Sequence, residues 1–219
     1  MISLIVVNYR SAALAAEAVR TARAATAQPL EVVIVDNSCD AEEAARLQGI
    51  ADALIVAETN RGYAGGVNLG RRACGGDVIV VSNPDVAFGG GAIDRLAGEL
   101  RGNIAVAGPA LFWDEAQQWM LPPGDLDTAW EKIDAILAGR SREWMLQRDR
   151  RRFRRRVAFW ELRATTFVRM LSGAVMAIRT RDFDAAGGFD ERFPLYFEET
   201  DFLRRIAEAR RRIVVVPEA

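Results

Sequence analysis

The sequence predicts an α/β protein built on a doubly wound, mostly parallel sheet. Short β-branched runs ending on polar residues, helical stretches between them, and a break in that rhythm after about residue 112 all point to it. Runs that are apolar on both faces mark strands covered on both sides, and βαβ alternation implies right-handed crossovers.

Ser3-Leu4-Ile5-Val6-Val7-Asn8 is the first buried strand, and Asn8-Tyr9-Arg10-Ser11 leads into an alanine-rich helix over about 12–25, where Ala and Arg favour the helical state. Pro29 resets the chain. Glu31-Val32-Val33-Ile34-Val35-Asp36 is the second strand, closed by Asp36-Asn37-Ser38 and a short helix through Leu47. Ala53–Val56 is a third strand, followed by the glycine-rich Asn60-Arg61-Gly62-Tyr63-Ala64-Gly65-Gly66-Val67-Asn68 and a helix to about Cys74.

The fourth strand starts at Asp77-Val78-Ile79-Val80-Val81-Ser82 and stops at Asn83-Pro84-Asp85, because Pro84 removes a ladder donor. Gly89-Gly90-Gly91, a helix to about Arg101 and a strand over 104–108 follow. The reading is a single domain with a first half over 1–112, a helical insertion over 113–165 and a second half over 166–219. The insertion contains Pro122-Pro123-Gly124 and the run Arg148-Asp149-Arg150-Arg151-Arg152-Phe153-Arg154-Arg155-Arg156. The last part has a strand over 170–178, an amphipathic helix opening on Glu198, and a final strand at Val214-Val215-Val216.

With half its residues hydrophobic, a 219-residue chain can bury a sizeable core. Its net charge of −1 gives no global pull toward nucleic acid. Cys39 and Cys74 are too few for a disulfide framework, and the N-terminus is not signal-like, so a cytoplasmic protein is expected. The chain has no histidine, which leaves acid–base chemistry to carboxylates. The arginine run beside Phe153 and Trp160 suits anionic lipid or a diphosphate-bearing acceptor; it equally suits a solvated helix face.

Residues at the carboxyl ends of neighbouring parallel strands converge. Asn8 with Tyr9, Asp36 with Asn37, and Asp85 would therefore line one crevice. The glycine-rich stretch suits close backbone approach to a phosphate or sugar. A dinucleotide fingerprint is excluded, since Asn-Tyr-Arg-Ser-Ala-Ala stands where Gly-x-Gly-x-x-Gly belongs, and a P-loop lacks its Gly-Lys-Ser/Thr. Asn83-Pro84-Asp85 also suits a plain turn. Glu198, Glu199 and Asp201 also suit a helix start, where negative charge meets the dipole.

Taken in order, Val-Val-Asn-Tyr, Val-Asp-Asn-Ser, Asn-Arg-Gly-Tyr-Ala-Gly-Gly-Val-Asn, Asn-Pro-Asp, Ser-Gly-Ala and Gly-Gly-Phe-Asp-Glu-Arg-Phe-Pro-Leu-Tyr-Phe-Glu-Glu-Thr-Asp cover nearly the whole chain. This set resembles the GT-A catalytic domain of family 2 glycosyltransferases, most closely the bacterial rhamnosyltransferase branch. The resemblance implies a cytoplasmic enzyme, in places peripheral to the inner membrane face, that moves a sugar from a nucleotide diphosphate sugar to a glycan or polyprenyl-linked acceptor with inversion. Deoxythymidine diphosphate rhamnose is the first donor implied, UDP sugars the next.

By the same resemblance, 1–112 is the nucleotide-sugar-binding half and 166–219 the acceptor and catalytic half, and Asn8, Tyr9, Asp36, Asn37, Asn60, Arg61, Gly62 and Asn68 hold the donor, with Asn83 and Asp85 at the metal motif. Asp85 binds Mg²⁺ or Mn²⁺, with Asn83 in the motif's first place. The base position falls on Glu199, with Glu198 and Asp201 as fallbacks. Relatives commonly place a histidine after the last strand, where this chain stops. The expectations are a truncated protein, another ligand at that position, or a nucleotide-sugar-binding module without efficient turnover.

Overall fold

The structure, a computed structural model, describes residues 1–121, 129–193 and 195–219. Pro122-Pro123-Gly124 and the Pro194 of the late motif lie outside the described residues. One sheet organises the chain, with strands β1 (Ile2–Asn8), β2 (Leu30–Asp36), β3 (Ala53–Val56), β4 (Val78–Ser82), β5 (Ile104–Pro109), β6 (Thr166–Val168), β7 (Val175–Arg179) and β8 (Arg212–Val216) in the order β3-β2-β1-β4-β7-β5-β8-β6. The first four are mutually parallel, as the alternation predicts.

Three features differ from the sequence reading. β7 runs antiparallel between β4 and β5, and β6 is a short antiparallel strand against β8. Composition carries no strand direction, so neither was legible. The strand expected over 170–178 begins only at Val175, which leaves Ser172-Gly173-Ala174 as a loop before it. Because β7 opposes β4, that loop sits beside the end of β4, and Asn83 N–H donates to the Ala174 carbonyl at 2.9 Å.

Helices cover both faces. Ile5, Val7, Val33, Val35, Ile79 and Val81 face α3 (Gly62–Arg71) and α8 (Glu198–Glu208). Leu4, Val6, Val32, Ile34 and Val80 face α1 (Ala12–Ala24) and α4 (Ala92–Glu99). Each such fully buried aliphatic side chain contributes about 1.5–3 kcal/mol of transfer free energy. α2 (Ala41–Leu47) starts on Asp40, whose carboxylate accepts from the Glu42 and Glu43 N–H groups. Phe202 of α8 stacks with Phe183 of α7 (Thr180–Ala185) and with Phe189, at centroid distances of 5.4 and 5.2 Å.

The glycine-rich stretch is the start of a helix rather than a loop. A Cβ at Gly66 would lie 2.7 Å from Val7 Cγ1, and one at Gly70 would lie 2.7 Å from Ile5 Cγ2. These glycines bring α3 down onto β1.

Between β5 and β6 stand α5 (Ala129–Ala138) and α6 (Arg142–Trp160), which pack on each other. β5 leaves the sheet at the same edge where β1, β2 and β4 end, and β6 re-enters there, with Thr166 opposite Val215. The helical pair therefore rises from the carboxyl edge. Among the described residues, no helix is long and apolar enough to cross a membrane.

Candidate functional site

Strand ends and one helix start meet at the carboxyl edge of the sheet. Asn8 and Asp36 close β1 and β2 in register. The Asn8 amide donates to Asp36 Oδ1 at 3.0 Å, Ser38 Oγ at 3.3 Å and Glu43 Oε1 at 3.2 Å, and its oxygen accepts from the N–H and hydroxyl of Ser11. Asn8 is fully buried, so its polar atoms serve this internal network. Glu43, which the sequence reading did not single out, accepts from Ala12 N–H at 2.7 Å and so caps α1 from a distance.

Asp36 is also buried, but only one of its oxygens is engaged. Oδ1 accepts from Asn8 and from Ser38 N–H and Oγ. Oδ2 is enclosed with no partner among the described residues, as is Oδ1 of the neighbouring Asn37, whose amide donates to the Gly62 carbonyl at 2.8 Å. An enclosed acceptor without a donor costs about 1–3 kcal/mol. The two stand at the end of β2, Asp36 in the Asn8–Ser38 network and Asn37 against Gly62 of α3, and each keeps an acceptor available to a donor group. Tyr9 lies exposed beside them, with the Arg10 guanidinium 5.7 Å from its ring.

Asn60 Oδ1 accepts from Gly62 N–H at 2.9 Å, an Asx turn that starts α3. Arg61 pairs with Glu191 at 3.2 Å. Asn68 is committed inside the protein: its amide donates to the Phe189 carbonyl and Glu191, and its oxygen accepts from Phe189 N–H. It fastens the Gly-Gly-Phe-Asp-Glu loop to α3.

Asn83, Pro84 and Asp85 lie just past β4, and the Asp85 side chain is exposed. The opposing wall comes from α8. Because α8 leads into β8, which runs parallel to β5, its N-terminus also lies at the carboxyl edge. Tyr196 and Phe197 just before it take left-handed φ values of +65° and +73°, a costly geometry for bulky residues that is held at the mouth of the site.

Tyr63 and Gly173 join the two walls. The Tyr63 hydroxyl donates to the Gly173 carbonyl at 3.2 Å, and Glu199 packs so closely on Gly173 that a Cβ there would lie 3.3 Å from its Cγ. Burial first, and then the Glu198, Glu199 and Asp85 carboxylates, push the Tyr63 hydroxyl well above the ordinary phenol range. Those three acids therefore face one group from two elements.

Glu198 is buried with Oε2 unpartnered among the described residues, and burial, reinforced by Glu199, raises its pKa above the ordinary 4.5. Glu199 is half-buried. Asp201 is occupied: it accepts from Arg205 Nε at 2.7 Å and from Arg204 at 3.4 Å, and Arg205 also donates to the Ala186 and Gly188 carbonyls. Tyr63 was missed as a site residue because an aromatic residue among glycines reads as packing.

For a divalent cation, Asp85 is the exposed carboxylate at the strand end. Among the described residues no three Asp, Glu, Cys or His side chains form a cage. An oxygen-only donor of this kind fits Mg²⁺ or Mn²⁺, which are commonly held by one or two carboxylates plus phosphate oxygens and water.

The chain is 28% identical, over 89% of its length, to N-acetylglucosaminyl-diphospho-decaprenol L-rhamnosyltransferase of Mycobacterium tuberculosis, and spans 66% of that relative. Among solved structures it is similar to the Pyrobaculum calidifontis mannosyltransferase PcManGT in complex with GDP-Man and Mn²⁺, with TM-score 0.63, 16% identity, and 99% of this chain matched to 55% of that one. It is also similar to S. aureus TarS in complex with UDP, with TM-score 0.64, 15% identity, and all of this chain matched to 58% of that one. These structural likenesses establish the GT-A fold. Residues 3–162 match the model of the family described as glycosyl transferase family 2, a span that takes in the Asp36 and Asp85 strand ends and stops before α8. On that match and that fold, the chain belongs to glycosyl transferase family 2.

Proposed function

We propose that the protein is an inverting glycosyltransferase that moves a sugar from a nucleotide diphosphate sugar to a hydroxyl on a glycan or polyprenyl-linked acceptor, working at the inner face of a membrane. One observation carries the proposal: the Tyr63 hydroxyl of α3 bonds the Gly173 carbonyl, on which Glu199 of α8 packs, and burial together with the charges of Glu198, Glu199 and Asp85 raises that same hydroxyl. The rhamnosyltransferase relative makes deoxythymidine diphosphate rhamnose the first donor to try, and the UDP complex of TarS makes UDP sugars the second.

In this reading Asp36 Oδ2 and Asn37 Oδ1 accept from the donor's base and ribose, beside Tyr9. Asn60, Arg61 and Gly62 border the same pocket, while Asn8 and Asn68 position the loops instead of touching the donor. Asp85, with Asn83 beside it, would hold Mg²⁺ or Mn²⁺. When bound, such an ion neutralises charge on the leaving diphosphate.

Glu199 takes the proton from the acceptor hydroxyl as it attacks the anomeric carbon, and the diphosphate leaves from the opposite side. Glu198 is enclosed and burial raises it, while Glu199 is half-buried on Gly173 and the more accessible of the two carboxylates, which favours Glu199 as the base. Asp201 serves as the anchor of Arg205.

The test is transfer of labelled rhamnose from deoxythymidine diphosphate rhamnose to a polyprenyl-diphosphate N-acetylglucosamine acceptor, in wild type and Glu199→Gln. Glu199→Gln is expected to lower kcat by about 10²-fold or more with donor binding kept. Unchanged kcat would remove Glu199 from the reaction. No transfer by the wild type from either donor class would remove the assignment.

A further inference from the structure

The arginine-rich helix α6 has two chemically distinct faces. One is turned to α5: Trp144 Nε1 donates to Asp134 at 2.9 Å, and Arg148 and Arg151 pair with the same carboxylate at 3.5 and 4.0 Å. Phe159 at the C-terminal end reaches the sheet core. Much of the positive charge seen in the sequence is thus spent within the helical pair.

The opposite face is different. Leu146, Phe153 and Trp160 recur at a seven-residue spacing, which places them on one stripe of a helix. They are 44%, 63% and 37% exposed. Arg150, Arg154 and Arg156 are exposed and flank the stripe on both sides by the 100° step of the helix, and the exposed Asp149 lies beside it between Leu146 and Phe153. Three large apolar side chains in one row, bordered mainly by cations on a helix with no buried residue, suit contact with a lipid interface.

We propose that this outer stripe of α6 docks the protein on an anionic lipid surface, with Leu146, Phe153 and Trp160 entering the acyl boundary and Arg150, Arg154 and Arg156 at the headgroups. Charge complementarity selects the occupant. A neutral protein partner would have no use for guanidinium groups on both sides of the ridge, and a second copy of this face would bring like charges together. Since α6 rises from the carboxyl edge of the sheet, docking sets the rim holding Asp85 and Glu199 near the bilayer, where a lipid-linked hydroxyl would be found. The surface itself is argued from α6 alone and stands whether or not the transfer chemistry does.

The experiment is co-sedimentation of the full chain with vesicles of phosphatidylcholine alone and of equal parts phosphatidylcholine and phosphatidylglycerol, with no donor or acceptor present. Wild type is expected to bind the anionic vesicles, to release with rising salt, and to leave neutral vesicles in the supernatant. Phe153→Ser, which removes the apolar anchor, and the pair Arg150→Gln/Arg154→Gln, which removes two cations, should each weaken binding by about tenfold or more. Both substitutions fall on exposed positions, and an unchanged circular dichroism spectrum confirms the fold. Equal binding to both vesicle types, no binding to either, or wild-type binding by Phe153→Ser would overturn the proposal. So would a dimer by light scattering that Phe153→Ser dissolves, which would assign the stripe to a second copy.

Discussion

Glu198 and Glu199 are neighbours that the fold treats differently. Glu198 is enclosed with an unpartnered oxygen, while Glu199 is half-buried on Gly173. Because burial raises the Glu198 pKa above 4.5, the folded state holds its proton better than the unfolded chain does. Its stabilising contribution is therefore full below 4.5 and is lost as pH rises through the folded value. Glutamine imitates the protonated acid at every pH. Glu198→Gln should match wild type at pH 4 and melt higher at pH 7, read by thermal unfolding at the two pH values. A melting difference that does not change with pH would remove the raised pKa from the account.

At this scale the sequence was legible in kind but not in role. Asn8, Asp36, Asn68 and Asp85 all read as polar residues at chain turns. Coordinates were needed to separate Asn8 and Asn68, whose atoms are spent on Ser11, Asp36, Phe189 and Glu191, from Asp36, which has an oxygen to spare. Residue type does not say which way a side chain is already committed.

Among the elements, α3 departs most from what its residues promised. Gly62, Gly65 and Gly66 look like a phosphate-cradling turn ahead of a helix, yet they already belong to that helix, where the missing side chains of Gly66 and Gly70 allow contact with β1. In an exposed helix, replacing glycine by alanine adds about 1 kcal/mol of stability. Here the sign should reverse. Gly66→Ala places a methyl 2.7 Å from Val7 Cγ1, and overpacking of this kind costs about 1–3 kcal/mol. Urea unfolding measures it: a lower midpoint is expected, and a higher one would show that α3 can lift off the sheet freely. The parallel strands β1 to β4 were readable because both their faces are apolar. The reversal of β7 was not, since its direction is set by where the long connection brings the chain back to the sheet.

The whole molecule combines two sources. The strand ends of the first half supply Asp36, Asn37 and Asp85, and the late segment returns through β7 and α8, which sets Ala174 against Asn83, Gly173 against Tyr63, and Glu199 on Gly173. The family match ends at residue 162, so the second wall rests on geometry, with Tyr63 as the residue that both walls reach.

Calorimetric titration of deoxythymidine diphosphate and UDP into the full chain, with Mn²⁺ or with a chelator, tests this arrangement most directly. At least one nucleotide should bind about tenfold tighter with Mn²⁺, or 1.4 kcal/mol, and Asp85→Asn should abolish that gain. Equal affinity with and without the metal, or a full gain in Asp85→Asn, would contradict the placement of the donor diphosphate at the end of β4.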